Sequence, residues 1–571
     1  MQFKLLADIY QQLEKISSGN AMREILSEFF KTVPKEDINI VAYLTLGQID
    51  SQYEGVVLGL AEKSIIKAIA TAAGLPEKKI KELVQKKGDA GLAAEEVLHK
   101  KPRTLVPVGT LTIHNLFETL HKIAETSGSG SQEKKTNLLV TLLQKASPIE
   151  AKYLTRIVLG TLRMGVGEMT VLDALAIAYT GEKKNKEILE TAYNICPDVG
   201  EIAKTLAQKG LKGLEKIEIR VGRPIKMMLA QRVDTLDEIK DKIPGKVAVE
   251  GKYDGERVQA HKDKKGKITL FSRRLDTITD QFPDLVKHLE KHLKAKEYVI
   301  EGEILAIDKK GRPLPFQTLM QRRRKNDVEQ YAKDIPVQLK IFELLYVDGE
   351  AVLHQPYEKR LAELKKILTE GEGVMPADRI ITEDLEKIDT FFHEMLDHGY
   401  EGIMIKSLQG EYQAGTRGWN WIKWKKEYTK ELSDTFDLVV VGAYHGRGKR
   451  SGMYGALLCA AYNRENDTFE TVCKLGTGLT DEMLEELPKK LAKYHVDKKP
   501  VRVNVSREME PDVWFEPKIV VEVLAAEITK SPYHTLGLAL RFPRFLHFRD
   551  DKKAEQATTT KEIKEMEKKK S

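Results

Sequence analysis

The sequence has little cysteine and no long apolar run. Its 571 residues include 3 cysteines, Cys196, Cys459 and Cys473. Their wide spacing argues against a disulfide framework and against a four-cysteine zinc site. No stretch approaches the roughly 18 consecutive apolar residues of a membrane-spanning helix, and the first residues lack the apolar segment of a signal peptide. We therefore expect a protein of the reducing cytoplasm without a membrane partner.

A strong excess of one charge is also missing. The chain has 93 Lys and Arg against 86 Asp and Glu, which is a net charge of +7. Such a mild basic balance permits a polyanionic partner but does not require one. The hydrophobic share of 41% and the charged share of 31% exclude a collagen-like chain and argue against low-complexity disorder. A chain of this length exceeds a single core, so the sequence predicts several domains.

The texture of the sequence changes twice along the chain. Residues 1–215 carry apolar side chains at helical spacing, as in EAKYLTRIVLG (150–160). Residues 216–427 alternate short runs rich in Val, Ile and Leu with helical stretches, which is typical of an α+β domain. Residues 428–571 contain strand-like runs such as DLVVVGAYHG, which suit a small antiparallel barrel. The tail after Arg549 has little apolar content, and we expect a loose helix or disorder there.

A lysine lies in a glycine-flanked turn after an apolar strand. Val247 and Val249 alternate as in a strand, and EGKYDGER (250–257) follows them. A lysine amine is a nucleophile only when it is neutral, a form that burial or neighbouring cations favour. Flanking glycines let a phosphate or a sugar approach the backbone closely. The tetrapeptide KYDG also suits an exposed hairpin turn, so this motif alone does not decide between the two interpretations.

Further motifs follow this lysine in a fixed order. They are FSRR (271–274), EGE (301–303), FELLY (342–346), EGIMIK (401–406) and WIKWK (421–425). The ordered series resembles the nucleotidyltransferase superfamily of ATP-dependent DNA ligases, RNA ligases and mRNA-capping enzymes. The resemblance implies that Lys252 becomes covalently joined to a nucleoside monophosphate.

Within that superfamily the chain is most similar to the archaeal and eukaryotic replicative DNA ligases. RIVLGTLRMGVGE (156–168) looks like a segment of their helical domain, and RFPRF (541–545) with RDDK (549–552) resembles their final motif. The resemblance implies a multidomain fold. It comprises an all-α DNA-binding domain over residues 1–215, an α+β nucleotidyltransferase (adenylation) domain over 216–427, and a β-barrel OB-fold domain with a C-terminal tail over 428–571.

The implied activity is ATP-dependent nick sealing in DNA replication, repair and recombination. Lysyl-AMP forms first, AMP then passes to the 5′-phosphate of the nick, and the 3′-hydroxyl finally displaces it. The side chains that the resemblance places at the nucleotide are Glu250, Arg257, Arg273, Glu303, Phe342, Lys406, Lys423, Lys425, Arg549 and Lys552.

The resemblance also gives these residues roles. It places Glu250 at the adenine amino group, and Phe342 stacked on the base, although Phe342 also suits a buried strand. Lys423 and Lys425 share one face of a strand and would contact the α-phosphate together with Lys406. Arg257 and Arg273 would hold the ribose or a phosphate. The other interpretation of these lysines and arginines is that they form a charged surface in contact with solvent.

Two carboxylates, Glu303 and Glu401, are the expected Mg²⁺ ligands, since magnesium prefers oxygen and keeps several waters. One of them could instead orient Lys252 or the ribose. In the tail, Arg549 and Lys552 would supply charge to the β- and γ-phosphates, after which the barrel would swing away. A basic C-terminal tail is the other interpretation of these residues.

The expected partner is nicked duplex DNA, held through phosphates rather than base edges. The candidate DNA contacts are Arg322, Arg447, Lys449, Gly165 and Gly167. The two glycines could offer backbone amides to phosphate or form a plain interhelix turn. A sliding clamp is a candidate partner, but the corresponding loop at 101–105 lacks the paired aromatics typical of clamp binding. We expect a monomer that associates with the nucleoid.

Two alternatives stay open. An RNA ligase or a capping enzyme would use the same chemistry on another end, and capping would use GTP. A non-catalytic DNA-binding module would form no lysyl adduct at all. The long helical first domain and the final motif favour the DNA ligase. A bacterial-type NAD ligase is disfavoured, because 3 cysteines cannot build its four-cysteine zinc module.

Overall fold

The structure is a computed structural model that describes residues 1–16, 18–99, 110–233, 235–323, 328–425, 434–446, 453–525 and 527–570. It divides into two compact units, Met1–Lys426 and Glu427–Ser571. In the described residues, no helix combines the length and the apolar character needed to cross a membrane.

The first part of the first unit is helical, as its periodicity predicts. Its α-helices are α1 Phe3–Glu14, α2 Gly19–Thr32, α3 Ile38–Thr45, α4 Glu62–Ala73, α5 Glu77–Lys87, α6 Ala90–His99, α7 Ile113–Glu125, α8 Ser131–Lys145, α9 Pro148–Val158, α10 Glu168–Thr180, α11 Lys186–Ile195, α12 Val199–Lys209 and α13 Leu211–Leu214. Local signals set the helix starts: at α9, Ser147 and Glu150 form a capping box and Pro148 occupies the first turn. The apolar faces of these helices share one core.

The rest of the first unit contains two sheets. The five-stranded sheet has the order β1-β11-β10-β2-β9 and the six-stranded sheet the order β4-β3-β5-β6-β7, with β8 also paired to β6. The strands are β1 Leu229–Arg232, β2 Val247–Lys252, β3 Glu256–Lys262, β4 Ile268–Ser272, β5 Tyr298–Ala306, β6 Val337–Val347, β7 Glu350–Ala351, β8 Val374–Pro376, β9 Arg379–Thr382, β10 Gly402–Ser407 and β11 Arg417–Lys425. The helices are α14 Glu238–Lys242, α15 Pro283–His292, α16 Phe316–Met320, α17 Val328–Asp334, α18 Tyr357–Ile367 and α19 Leu385–Asp397.

Strand alternation divides the five-stranded sheet into an apolar and a polar face. Ile403, Ile405, Ile422 and Trp424 lie in one buried cluster with α19. Residues at the intervening positions of β2, β10 and β11 therefore point to the opposite face. The register places these positions side by side, since Glu250 pairs with Met404 and Met404 pairs with Lys423.

The second unit is built on a seven-stranded sheet. Its order is β15-β17-β12-β13-β14-β16, β20 also pairs with β17, and β18 pairs with β19 in a separate ribbon. The elements are β12 Asp434–His445, β13 Tyr454–Asn463, β14 Thr468–Leu475, α20 Asp481–Leu491, β15 His495–Val496, β16 Val503–Asn504, β17 Val513–Ala525, β18 Glu527–Lys530, β19 Leu538–Arg541, β20 Arg544–Phe548 and α21 Thr560–Lys570.

The tail contains a helix, which is one of the two expected outcomes, but this helix is docked rather than loose. Residues Thr560–Lys570 form helix α21. Ile563 is fully buried in the core of the second unit, and Met566 packs against that core. Apolar residues three positions apart lie on one helix face, so two of them suffice to dock a helix that is otherwise charged.

Candidate active site

A cleft of the first unit lies between its two sheets. It encloses about 910 Å³, part of which is open solvent. The sequence-predicted residues that line it are Glu250, Lys252, Arg257, Arg273, Glu303, Phe342, Lys406, Lys423 and Lys425. Strands β2, β10 and β11 contribute from one sheet and β3, β5 and β6 from the other. The two sheets thus bring together motifs that lie far apart in the sequence.

Lys252 is the last residue of β2 and projects into this cleft. Its side chain is 21% exposed, and its ammonium forms an ion pair with Glu401. Glu401 also pairs with Lys425, whose Nζ lies 2.7 Å from Glu401 Oε2. Burial alone would raise the pKa of Glu401, but the two lysines lower it below its usual value. Glu401 is thus an ionised carboxylate that orients the amine of Lys252.

A second carboxylate, Glu303, faces Lys252 from β5. Burial, together with Glu401 and Asp254, raises its pKa to about 7, while Lys252 and Arg257 oppose the shift. Glu401 raises the pKa of Glu303, so these two carboxylates repel each other. A bound cation would relieve their mutual repulsion.

An aromatic slot lines the other end of the cleft. The rings of Phe342 and Trp421 meet edge to face at 6.1 Å between centroids. The guanidinium of Arg257 lies 5.6 Å from the Phe342 centroid and 5.1 Å from that of Trp421. It is fixed by the carbonyl of Met228 at 2.7 Å and by Glu301 at 2.7 Å. Aromatic faces of this kind stack on a planar base.

Glu250 lies beside this slot and is 2% exposed. Its carboxylate pairs with Lys406, 2.7 Å away, and with Arg379, also 2.7 Å away. Burial alone would raise the pKa of Glu250, but Arg379 and Lys406 lower it below its usual value. Lys406 is itself 1% exposed and lines the cleft, and its predicted contact with the α-phosphate stays a prediction.

The exposed cations are concentrated near Lys252. Lys423 and Lys425 project from the same face of β11, and Arg273 and Arg417 are exposed residues that line the same cleft. Burial, and then Lys425, Lys252, Arg417 and Arg273, lower the pKa of Lys423. This mutual repulsion indicates a site for an anion. Phosphate would fit between an amine nucleophile and these cations.

The comparisons with known proteins agree with this geometry. The family described as "ATP dependent DNA ligase domain" matches residues 227–425, "DNA ligase N terminus" matches residues 2–176, and "ATP dependent DNA ligase C terminal region" matches residues 450–552. The chain belongs to the ATP-dependent DNA ligases.

Relatives and a solved structure cover nearly all of this ligase. It is 47% identical to DNA ligase 2 of Thermofilum pendens, over 99% of this chain and 97% of that protein. It is 44% identical to DNA ligase 1 of Methanosarcina mazei, over 99% of each chain. The solved structure "Pmar-Lig_Pre." has a TM-score of 0.57 at 18% identity, over 95% of this chain and 99% of that chain. At that identity the likeness concerns the fold.

Arg322 of the ligase does not face DNA, and the prediction that it does is wrong. Its guanidinium is 0% exposed and lies 2.6 Å from Asp284. It also donates to the carbonyls of Ile335 and Gln281. A guanidinium with these buried partners holds α15 to the segment after α16 and has no access to a phosphate.

The other predicted DNA contacts lie in different places. Gly165 has a φ of 73°, and Gly167 is the N-cap of α10. Together they form the turn that leads into α10, as the sequence predicts, and their contact with DNA stays a prediction. Arg447 and Lys449 lie outside the described residues, and so does the candidate clamp loop at 101–105.

The tail residues of the ligase form ion pairs within the second unit. Arg549 lies 3.0 Å from Asp437 and 2.8 Å from Asp551. Lys552 pairs with the other oxygen of Asp437. Their predicted role at the β- and γ-phosphates stays a prediction.

Sequence reasoning missed several residues of the site. Trp421 and Arg417 line the cleft, and Tyr357 and Arg379 support Glu250 from behind. Alternation could have found Trp421, since it lies on the same face of β11 as Lys423 and Lys425. Arg379 and Tyr357 carry no such signal, because they come from β9 and α18, outside the recognised motifs.

Proposed function

We propose that this protein seals nicks in duplex DNA, with ATP as the source of an AMP group carried on Lys252. The observation that carries the proposal is the position of the Lys252 amine. This amine pairs with Glu401, which also binds Lys425, and Lys252 shares the cleft with Glu303 and Lys423. The family membership supports the same chemistry.

In the first step the neutral amine of Lys252 attacks the α-phosphorus of ATP. A nitrogen–phosphorus bond forms, the bond from phosphorus to the pyrophosphate oxygen breaks, and the amine loses a proton. An ammonium paired with Glu401 is not a nucleophile, so Lys252 must first pass a proton to this carboxylate or to water. Lys423 and Lys425 would stabilise the negative charge that gathers on the phosphate oxygens.

The carboxylates fit a divalent cation, and we propose Mg²⁺ at Glu303 and Glu401. In the described residues, no three His, Cys, Asp or Glu side chains are grouped to hold a metal by themselves. An ion at the two glutamates would complete its shell with phosphate oxygens and water, as Mg²⁺ does. When bound, it would neutralise phosphate charge and compete with Lys252 for Glu401.

Two further steps complete the proposed reaction. A 5′-phosphate oxygen of the nick attacks the phosphorus of lysyl-AMP and frees Lys252. The 3′-hydroxyl then attacks the 5′-phosphorus, loses its proton and expels AMP. Arg273, exposed at the rim of the cleft, is suited to hold the 5′-phosphate.

For substrate binding we propose that the turn with Gly165 and Gly167 contacts the DNA backbone and that the second unit is an OB-fold. Antiparallel pairing of β12, β13, β14 and β17 supports the second proposal. Arg447 and Lys449 keep their proposed DNA-binding role. We also propose that the protein is a monomer and that a sliding clamp is a candidate partner.

The decisive experiment is to incubate the protein with Mg²⁺ and ATP and to locate the adduct by mass spectrometry. We expect AMP on Lys252 and sealing of a nicked duplex. The Lys252→Ala variant should form no adduct and seal nothing while it still binds nicked DNA. Lys265→Ala, an exposed lysine in the β3–β4 hairpin, is the matched control and should behave as the wild type.

Adduct formation in Lys252→Ala would move the nucleophile elsewhere. An adduct from GTP alone would identify a capping activity. Sealing of RNA ends in preference to a DNA nick would identify an RNA ligase.

A further inference from the structure

A buried polar cluster surrounds the carboxylate of Glu250. Its other members are Tyr357, Arg379 and Lys406, which come from α18, β9 and β10. Tyr357 is 1% exposed and Lys406 is 1% exposed, and the Arg379 side chain is 12% exposed. Glu250 and Lys406 line the cleft, whereas Tyr357 and Arg379 are not among its lining residues. Tyr357 and Arg379 therefore act on a bound nucleotide through Glu250.

Each donor in the cluster has a defined target on Glu250. Tyr357 Oη donates to Oε1, and Arg379 Nε donates to the same oxygen over 2.7 Å. Lys406 Nζ lies 2.7 Å from Oε2. A carboxylate offers about four lone-pair sites, two on each oxygen. Oε1 is therefore saturated, and one acceptor position remains on Oε2.

The hydroxyl proton of Tyr357 has two acceptors within reach, Glu250 and the carbonyl of Phe342 at 3.0 Å. The carbonyl has a second donor in Lys406 at 3.1 Å. Arg379 Nη2 donates to Tyr357 Oη over 3.2 Å, which leaves the hydroxyl free to donate onward. The proton of Tyr357 is thus available to Glu250, and the same cluster ties Glu250 to the backbone of the stacking residue Phe342.

The helix that carries Tyr357 is itself fixed. Tyr357 is the first residue of α18, after Pro356. One turn later, Arg360 is 1% exposed and pairs with the fully buried Glu343 on β6, 2.8 Å away. The position of the phenol is therefore set by the fold before any ligand binds.

An ionised carboxylate beside an aromatic slot accepts hydrogen bonds and donates none. Adenine presents an amino donor at its 6-position, where guanine and hypoxanthine present a carbonyl oxygen. A carbonyl oxygen at position 6 would face the carboxylate oxygen of Glu250, and neither atom has a proton to donate. A buried site strongly rejects a base that leaves two acceptors unpaired in this way.

We propose that Tyr357 and Arg379 are positioning residues that set the purine specificity of this ligase, because they saturate one oxygen of Glu250 and leave a single acceptor position for an exocyclic amino group. This inference rests on the proposed adenylation of Lys252. According to this inference, Tyr357 and Arg379 make the site select adenine over purines that lack a 6-amino group. Both residues lie outside the recognised motifs.

The test measures the rate of lysyl adduct formation at subsaturating nucleotide with ATP, ITP and purine riboside triphosphate, which has no 6-substituent. The variants are Tyr357→Phe, Arg379→Met and Arg379→Lys. A hydrogen bond to a charged group contributes about 1.5–3 kcal/mol, or roughly 10-fold or more. We expect the preference for ATP over purine riboside triphosphate to fall at least about 10-fold in Tyr357→Phe.

Arg379→Met should lower the preference for ATP over ITP by a similar factor, and Arg379→Lys should restore most of it. The matched control is Tyr298→Phe, which removes a buried hydroxyl that has no hydrogen-bond partner among the described residues. Because each preference is a ratio measured on one preparation, loss of folded protein cancels.

Three outcomes distinguish a failure of the specificity proposal from a failure of the proposed adenylation of Lys252. An unchanged preference in both Tyr357→Phe and Arg379→Met overturns this proposal alone. An equal loss in Tyr298→Phe also overturns it, since the effect would then be general softening of the fold. A wild-type protein that forms no adduct with any of the nucleotides contradicts the proposed function instead.

Discussion

At the scale of single residues, the surroundings of a charged side chain decide its role. Lys252, Lys406 and Lys425 all line one cleft, yet their ammonium groups meet different partners. Lys406 is buried against Glu250 and lies 4.4 Å from the Trp421 ring centroid. Lys252 and Lys425 instead share Glu401 near the exposed cations. Lys252 and Lys406 thus differ in the carboxylate that each one contacts, which is Glu401 for Lys252 and Glu250 for Lys406.

Arg322 shows the same point outside the site, and it supports a prediction. Arg322→Ala leaves Asp284 and two carbonyls without their buried donor, so we expect a loss of about 3 kcal/mol in the free energy of unfolding. Affinity for nicked DNA, and its dependence on salt, should stay unchanged in the folded variant. Chemical denaturation and a salt titration of DNA binding measure the two effects.

The control for this prediction is Arg312→Ala, whose side chain is 73% exposed and pairs with Asp308. An exposed pair contributes less than about 1 kcal/mol. If Arg322→Ala bound DNA more weakly without losing stability, Arg322 would be a DNA contact and the structural interpretation would be wrong.

At the scale of elements, strand alternation carries the site. In β10 and β11, every second residue faces the apolar cluster with α19, and the residues between them face the cleft. Sequence alternation therefore predicts which side chains share a face. It does not predict that β5 and β6 approach from another sheet, because that proximity depends on how the two sheets pack.

The turn between β2 and β3, which belong to different sheets, supports a second prediction. A Cβ on Gly255 would lie 2.2 Å from the carbonyl oxygen of Ile304 and 2.9 Å from Cγ of Glu303. Gly255→Ala should therefore push this turn away from β5 and displace Lys252 relative to Glu303. A misplacement of about 1 Å can lower a rate on the order of 100-fold, and we expect that scale of loss in adduct formation.

Gly266→Ala, in the hairpin between β3 and β4, shows whether backbone strain alone slows adduct formation. Gly266 has a φ of 85° and no atom within 4 Å of its added Cβ. The left-handed conformation costs a non-glycine residue about 1 kcal/mol, so stability should fall while adduct formation is unaffected. Equal adduct formation in the two variants would rule out the proposed role of the close contact at Gly255.

At the scale of the whole molecule, the chain forms two compact units, and the predicted nucleotide ligands are divided between them. Lys252 and its partners belong to Met1–Lys426, whereas Arg549 and Lys552 belong to Glu427–Ser571. The family resemblance assigns the two tail residues to the β- and γ-phosphates, which are present only in the first step. The sequence thus predicts that Arg549 and Lys552 of the second unit act only in the first step of the reaction.

This division gives a third prediction. Arg549→Ala should slow the formation of lysyl-AMP at least about 10-fold, the effect of one lost charge-assisted hydrogen bond. It should still seal a nick whose 5′-phosphate already carries AMP, because no pyrophosphate leaves in that step. Arg502→Ala, which removes the pairs with Asp467 and Glu555 in the same unit, is the control. Equal loss in both assays would place Arg549 in a general structural role.

By itself the sequence determined the family, the order of helical and sheet regions and the face on which most site residues lie. Motif order and strand alternation are local properties, so residues such as Lys252, Lys423 and Phe342 are recognisable from the chain alone. Only the tertiary structure decided which partner each charge meets. Arg322 is buried against Asp284, and Glu250 is enclosed by Tyr357, Arg379 and Lys406. The free energy of a charged group depends on burial and on neighbours that come from distant parts of the chain.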